Sequence, residues 1–138
     1  MLPKGIHDCT LEEIKARFGS FQWSDRRPQL FARLENFLRE ARATGLVLSV
    51  VVNGRFVTAK PDPNDIDLIV VVAADHDFGA ELSPGEYAVL SKRRVRRRHG
   101  FDVLVARADS DQYRRYERFF QQIRFAPGRA KGILRIKL

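Results

Sequence analysis

A chain of 138 residues is long enough for one domain with a hydrophobic core. Its 25 Lys and Arg against 17 Asp and Glu leave a net charge of +8, which favours a polyanionic partner: a nucleotide, a nucleic acid or an acidic protein. No apolar run approaches the ~20 residues that span a bilayer, and a single cysteine excludes an internal disulfide framework.

The opening "MLPKGIHDCT" lacks the apolar stretch of a secretory signal, so a reducing, cytoplasmic setting is expected, with Cys9 an unreactive thiol. Thr10-Leu11-Glu12-Glu13 forms a capping box that starts a short helix, ended near Phe18 by Gly19. Ser24 or Asp25 caps a second helix with Pro28 in its first turn, and Trp23 packs between the two. Leu30, Leu34, Phe37, Leu38 and Ala41 recur at helical spacing and give it one apolar face; Gly45 ends it. "LVLSVVVN", Leu46 to Asn53, is a strand, followed by a turn in "GRFVTAK" and a loop in "PDPN". "DIDLIVVV" is nearly continuous in apolar residues, the pattern of a strand covered on both faces.

"LSPGEYAVLSKRRVRRRHG" predicts one helix from about Pro84 to Gly100, with six Arg or Lys between Ser91 and Gly100. Two readings of that run stay open: a face for nucleic-acid phosphates, or a solvated helix face. "FDVLVA" is a third strand, starting at Phe101. "DSDQYRRYERFFQQI" is a helix capped by Asp109 or Ser110, with Tyr113, Tyr116, Phe119, Phe120 and Ile123 on one core-packing face. "KGILRIKL" is an edge strand or an extended tail. His7, His76 and His99 lie too far apart to suggest zinc. The order predicts a small α/β or α+β fold, residues 1–138 forming one domain.

The chemistry gathers at the start of "DIDLIVVV". Asp65 and Asp67, two apart on a strand, share one face with Cα atoms ~6.5–7 Å apart. Carboxylates that close repel one another. A divalent cation resolves the conflict, and Mg²⁺ takes one or two carboxylates together with substrate phosphates. Asp102, at the start of "FDVLVA", supplies a third acid if the two strands are neighbours. Gly54 lets backbone approach a phosphate closely. Lys60 is either a triphosphate ligand or a solvated loop residue.

A glycine turn, Gly54-Arg55, followed by nine residues and then Asp65-Ile66-Asp67, resembles the signature of polymerase-β-like nucleotidyltransferases. "LPKGIHDCTLEEIKARF", "GRFVTAKPDPNDIDL" and "KGILRI" together look like a small, largely uncharacterised bacterial domain family with this fold. The resemblance implies a minimal nucleotidyltransferase fold, a mixed sheet of about four strands flanked by helices. It implies transfer of a nucleoside monophosphate from an NTP onto a hydroxyl of a protein, an RNA or a small molecule, in a setting such as a toxin–antitoxin or defence pair. Asp65 and Asp67 would hold Mg²⁺ or Mn²⁺, Asp102 would complete the site, and Gly54 and Arg55 would hold the triphosphate, with Lys60 nearby. The family usually has Ser where this chain has Arg55. A guanidinium binds phosphate bidentately, but it also fills more space. The alternative is therefore an inactive module of the same fold that binds RNA or a protein through its basic surface.

Overall fold

The computed structural model describes residues 5–13, 26–53, 67–121 and 132–138. In chain order these form β1 (Gly5–Asp8), α1 (Arg26–Thr44), β2 (Val47–Asn53), β3 (Asp67–Val72), α2 (Pro84–Leu90), α3 (Lys92–His99), β4 (Asp102–Arg107), α4 (Asp111–Gln121) and β5 (Gly132–Lys137). The strands make one mixed sheet in the order β1-β5-β2-β3-β4. The outer pairs β1–β5 and β3–β4 are parallel; β5–β2 and β2–β3 are antiparallel. Parallel neighbours cannot be joined by a tight turn, and α2 and α3 form the crossover that brings β4 alongside β3.

This sheet has five strands rather than about four. "KGILRIKL" is not an edge: β5 lies between β1 and β2, and the edge is β1, drawn from the opening segment. A four-residue strand interrupted by His7 and Asp8 carries little alternation, so its pairing is specified from across the sheet.

Alternation along the strands divides the core in two. Val50, Val52, Leu68, Val70 and Val103 face a layer built from Leu34, Phe37 and Leu38 of α1, Val89 of α2 and Val95 of α3. Val51, Ile69, Val71 and Ile133 face the other way, onto Phe120 of α4, with Tyr113 and Tyr116 packed against them. Val47 joins the first layer although it lies three positions from Val50; the register shift between Val47 and Ser49 absorbs the mismatch and leaves Leu48 half exposed. All five residues of the predicted α1 face, Leu30, Leu34, Phe37, Leu38 and Ala41, are buried. Phe119 does not join the aromatic face of α4; it is 64% exposed. Ile123 and Trp23 lie outside the described residues.

The caps follow from local chemistry. Glu13 N–H donates to Thr10 Oγ1 and Thr10 N–H to Glu13 Oε1, both at 3.1 Å, so the predicted capping box forms. A second box escapes the sequence reading: Ser83 and Glu86 bracket the start of α2, with Pro84 in its first turn. The predicted single helix from Pro84 to Gly100 is two helices. Ser91 sits between them in extended backbone (φ −85°, ψ 115°), its N–H donating back to the Tyr87 carbonyl and its hydroxyl accepting from Arg94 N–H. One serine thus ends α2 and starts α3, and the bend lets Val89 and Val95 both reach the core. Ser110, not Asp109, caps α4, accepting from Tyr113 N–H at 3.0 Å; Asp109 itself adopts φ 58°.

Gly100 closes α3 in the left-handed region (φ 78°, ψ 14°), its N–H donating to the Arg96 carbonyl at 3.0 Å. An alanine Cβ there would meet Arg33 Nη1 at 3.6 Å, an ordinary contact, so the penalty is conformational. Gly100→Ala is expected to cost about 1 kcal/mol, lowering the melting temperature by about 3–5 °C in a thermal scan.

Candidate functional site

β3 and β4 run parallel and in register, and their first residues are partners: Asp67 stands directly across from Asp102. Neighbouring strands lie about 4.8 Å apart. Leu68 and Val103 point into the α1 layer, so Asp67 and Asp102, one residue earlier, both belong to the opposite face of the sheet. Two carboxylates therefore share one face and one edge. The far side of the same sheet shows what a compensated pair looks like. Asp8 and Arg135 are also in-register partners on parallel strands. There the guanidinium donates to both carboxylate oxygens, at 2.6 and 3.0 Å. That hydrogen bonding, helped by the Arg135 and Lys137 charges, holds the Asp8 carboxyl below its ordinary value against the opposing effect of burial. At Asp67 and Asp102 the same geometry brings together like charges, an arrangement that opposes strand pairing.

Part of the compensation comes from α3. Arg96 Nη1 donates to Asp102 Oδ1 at 2.7 Å, with both side chains more than half exposed. An ion pair that exposed contributes only about 0–1 kcal/mol. Arg96 was not singled out from the sequence; its position six residues before Asp102, across a helix end and a glycine, is the signal that points to it.

β2 leaves the sheet and β3 joins it at this same edge, Asn53 pairing with Asp67. The connection between them carries Gly54, Arg55, Lys60 and Asp65, which all lie outside the described residues. Of the predicted site residues, the structure thus brings Asp67 and Asp102 together, and the segment holding the others begins and ends beside them. Among the described residues no group of three or more His, Cys, Asp or Glu gathers as a metal site; the pair has two acids, and the third predicted ligand is Asp65. The donor chemistry fits a hard cation: the pair offers carboxylate oxygens, with no sulfur or imidazole joining them in a metal-binding group among the described residues.

A second polar cluster lies behind the pair. His99 is buried, stacked on Phe101 and edge-on to Phe37, and its Nε2 is 2.9 Å from Glu40 Oε2. Arg98 Nη2 lies 2.5 Å from the other oxygen of Glu40. Burial pushes the Glu40 carboxyl up, but the Arg98 hydrogen bond and the His99 and Arg98 charges outweigh it, and the net shift is downward. A depressed carboxyl stabilises the fold above its unfolded value, ~4.3, and that contribution is lost as pH falls through the lower folded value. Glu40→Gln is therefore expected to flatten the fall in melting temperature on the acid side, below about pH 4, while lowering stability at neutral pH. Cys9, its Sγ 3.8 Å from the Arg135 carbonyl, is a packing residue: burial, aided by the Glu13 and Asp8 charges, pushes its thiol up to about 11.

Residues 1–137 match the model of a Family of unknown function (DUF6932). The chain belongs to this family. No curated protein and no solved structure matches it. Among the described residues no helix is long and apolar enough to cross a membrane.

Proposed function

We propose that this member of the family is a divalent-cation-dependent nucleotidyltransferase of minimal fold, moving a nucleoside monophosphate from an NTP onto an acceptor hydroxyl. The observation that supports it is the in-register pair Asp67–Asp102, two carboxylates on neighbouring parallel strands at the edge where the Gly54–Asp65 connection starts and finishes. Two carboxylates on one face repel each other, and a divalent cation bound between them would relieve that repulsion.

In this reading Asp67 and Asp102, with Asp65, hold Mg²⁺ or Mn²⁺, and Gly54, Arg55 and Lys60 hold the triphosphate. The bound ion supplies charge neutralisation for phosphate oxygens during the transfer. The acceptor oxygen bonds to the α-phosphorus, the bond from that phosphorus to its bridging oxygen breaks, and pyrophosphate leaves. Asp102, half exposed, accepts the hydroxyl proton. Melting curves with Mg²⁺ or Mn²⁺ plus each NTP test the reading. A nucleotide at 100 times its Kd stabilises by ~2.7 kcal/mol, so a clear upward shift with metal and nucleotide together is expected.

A second reading is the inactive module. It draws on the Arg96–Asp102 pair, which already gives Asp102 a cation, and on Arg55 in the place of the usual Ser. It predicts no shift with any nucleotide.

A further inference from the structure

Helix α3 carries positive charge that neither its packing nor its ion pairs use. Val95 and His99 form its buried stripe. The flanks are engaged: Arg96 reaches Asp102 on one side, and on the other Arg98 reaches Glu40 while Arg94 lies 5.2 Å above the Tyr87 ring. Arg93 and Arg97, one turn apart, point directly away from Val95 at ~100° per residue. Both are exposed and make no hydrogen bond or ion pair among the described residues.

The helix dipole accounts for some of these cations. Arg96, Arg97 and Arg98 sit in the last turn, where the free carbonyls favour positive charge. It does not account for Lys92 and Arg93, which sit in a first turn that has no acid and where the same dipole opposes them. Arg93 over Arg97 and Arg94 over Arg98 also stack like charges four residues apart, which weakens a helix. On the flank of α3 that carries Arg98, across a crevice of about 400 Å³ that also holds Glu40, α1 adds Arg39, bonded to Asn36, and Arg33; Arg33 makes no hydrogen bond or ion pair among the described residues.

We infer that this face binds the phosphate backbone of a nucleic-acid strand and, building on the transferase reading, that the strand is the acceptor whose terminal hydroxyl meets Asp67 and Asp102. Position supports the second step. Helix α3 ends at Gly100, two residues before Asp102, and Arg96 already touches that carboxylate. A strand lying along α3 therefore reaches the edge of the sheet where the pair stands, and its end turns over that edge to the carboxylates on the other face. Composition supports nucleic acid over a protein partner. Protein interfaces draw their energy from buried aromatic and aliphatic anchors. The exposed aromatic that touches this helix is Tyr87, and Arg94 already covers its ring; Phe78 and Phe119 sit on the β3–α2 connection and on α4. Guanidinium groups without acids to pair them are suited instead to phosphates.

The test is binding of a short labelled single-stranded RNA, followed by fluorescence anisotropy in EDTA with no nucleotide. Arg93→Gln with Arg97→Gln is expected to weaken binding on the order of tenfold and to lower the slope of log affinity against log salt by about 1.4, two contacts at ~0.7 each. Arg42→Gln with Lys137→Gln removes the same charge toward the opposite edge of the sheet, where α1 and β5 end, and is expected to leave affinity within about twofold. Equal losses in the two double variants, no loss in the first, or competition by polyglutamate as strong as by unlabelled RNA would each overturn the inference. Melting curves of both doubles check that they fold. A metal–nucleotide melting shift without RNA binding removes this inference and leaves the transferase reading; RNA binding without that shift removes the transferase reading and the acceptor role with it, and leaves only the phosphate-binding face.

Discussion

On the proposed transferase reading, Asp67→Ala is expected to abolish the stabilisation by Mg²⁺ plus NTP and to lower nucleotidyl transfer by about three orders of magnitude or more, the scale on which single groups that stabilise developing charge act. Asp102→Asn should fall in the same range, because the two residues are partners in one register. Asp67→Glu is the sharper probe. It keeps the charge but moves the carboxylate outward by one methylene, and a misplacement of ~1 Å can cost ~10²-fold. Asp75→Asn is the control: an exposed acid beyond the other end of β3, it should leave transfer unchanged. Transfer is read as label passing from α-labelled NTP to acid-precipitable acceptor in cell lysate. Activity within tenfold of normal in Asp67→Ala would remove the carboxylate edge from the mechanism.

Much of the site's geometry is legible because one-dimensional spacing maps directly onto strands. "DIDLIVVV" and "FDVLVA" each place an acid at the boundary where a run of β-branched and aliphatic residues begins. Buried parallel strands must align their apolar runs, and that alignment sets Asp67 against Asp102. The faces of α1 and α4 follow from helical period, save for Phe119, which the period puts near the edge of the stripe and the packing leaves outside it. What is not legible depends on contacts between distant segments. The pairing of β1 with β5 joins the two ends of the chain, and neither segment alone specifies its neighbour. The break at Ser91 was hidden because serine is tolerated inside a helix, and only the need to bury both Val89 and Val95 makes it a cap. The Glu40–His99 pair spans two helices and carries no spacing signal at all.

The largest effect on stability is expected at Phe37. Its side chain is fully buried, edge-on to His99 at 5.4 Å and to Phe101 at 6.3 Å between ring centroids. These three rings join the middle of α1, the last residue of α3 and the residue that leads into β4. Truncation to alanine removes a whole ring from a close-packed layer and leaves a cavity, and such changes cost about 3–5 kcal/mol. Phe37→Leu keeps most of the volume and should cost roughly half as much or less. Equilibrium urea denaturation measures both, with the midpoint reporting stability and the slope checking that the unfolded state is unchanged. The position also carries a functional consequence. Phe101 directly precedes Asp102, and His99 is held against Glu40, so loosening the ring cluster frees the start of β4. Phe37→Ala is therefore expected to weaken metal-dependent nucleotide binding at temperatures where the variant is still folded, although Phe37 stands on the face of the sheet opposite the carboxylates. A variant that loses less than ~1 kcal/mol would show that the ring packs more loosely than described, and the coupling between α1 and the carboxylate edge would go with it.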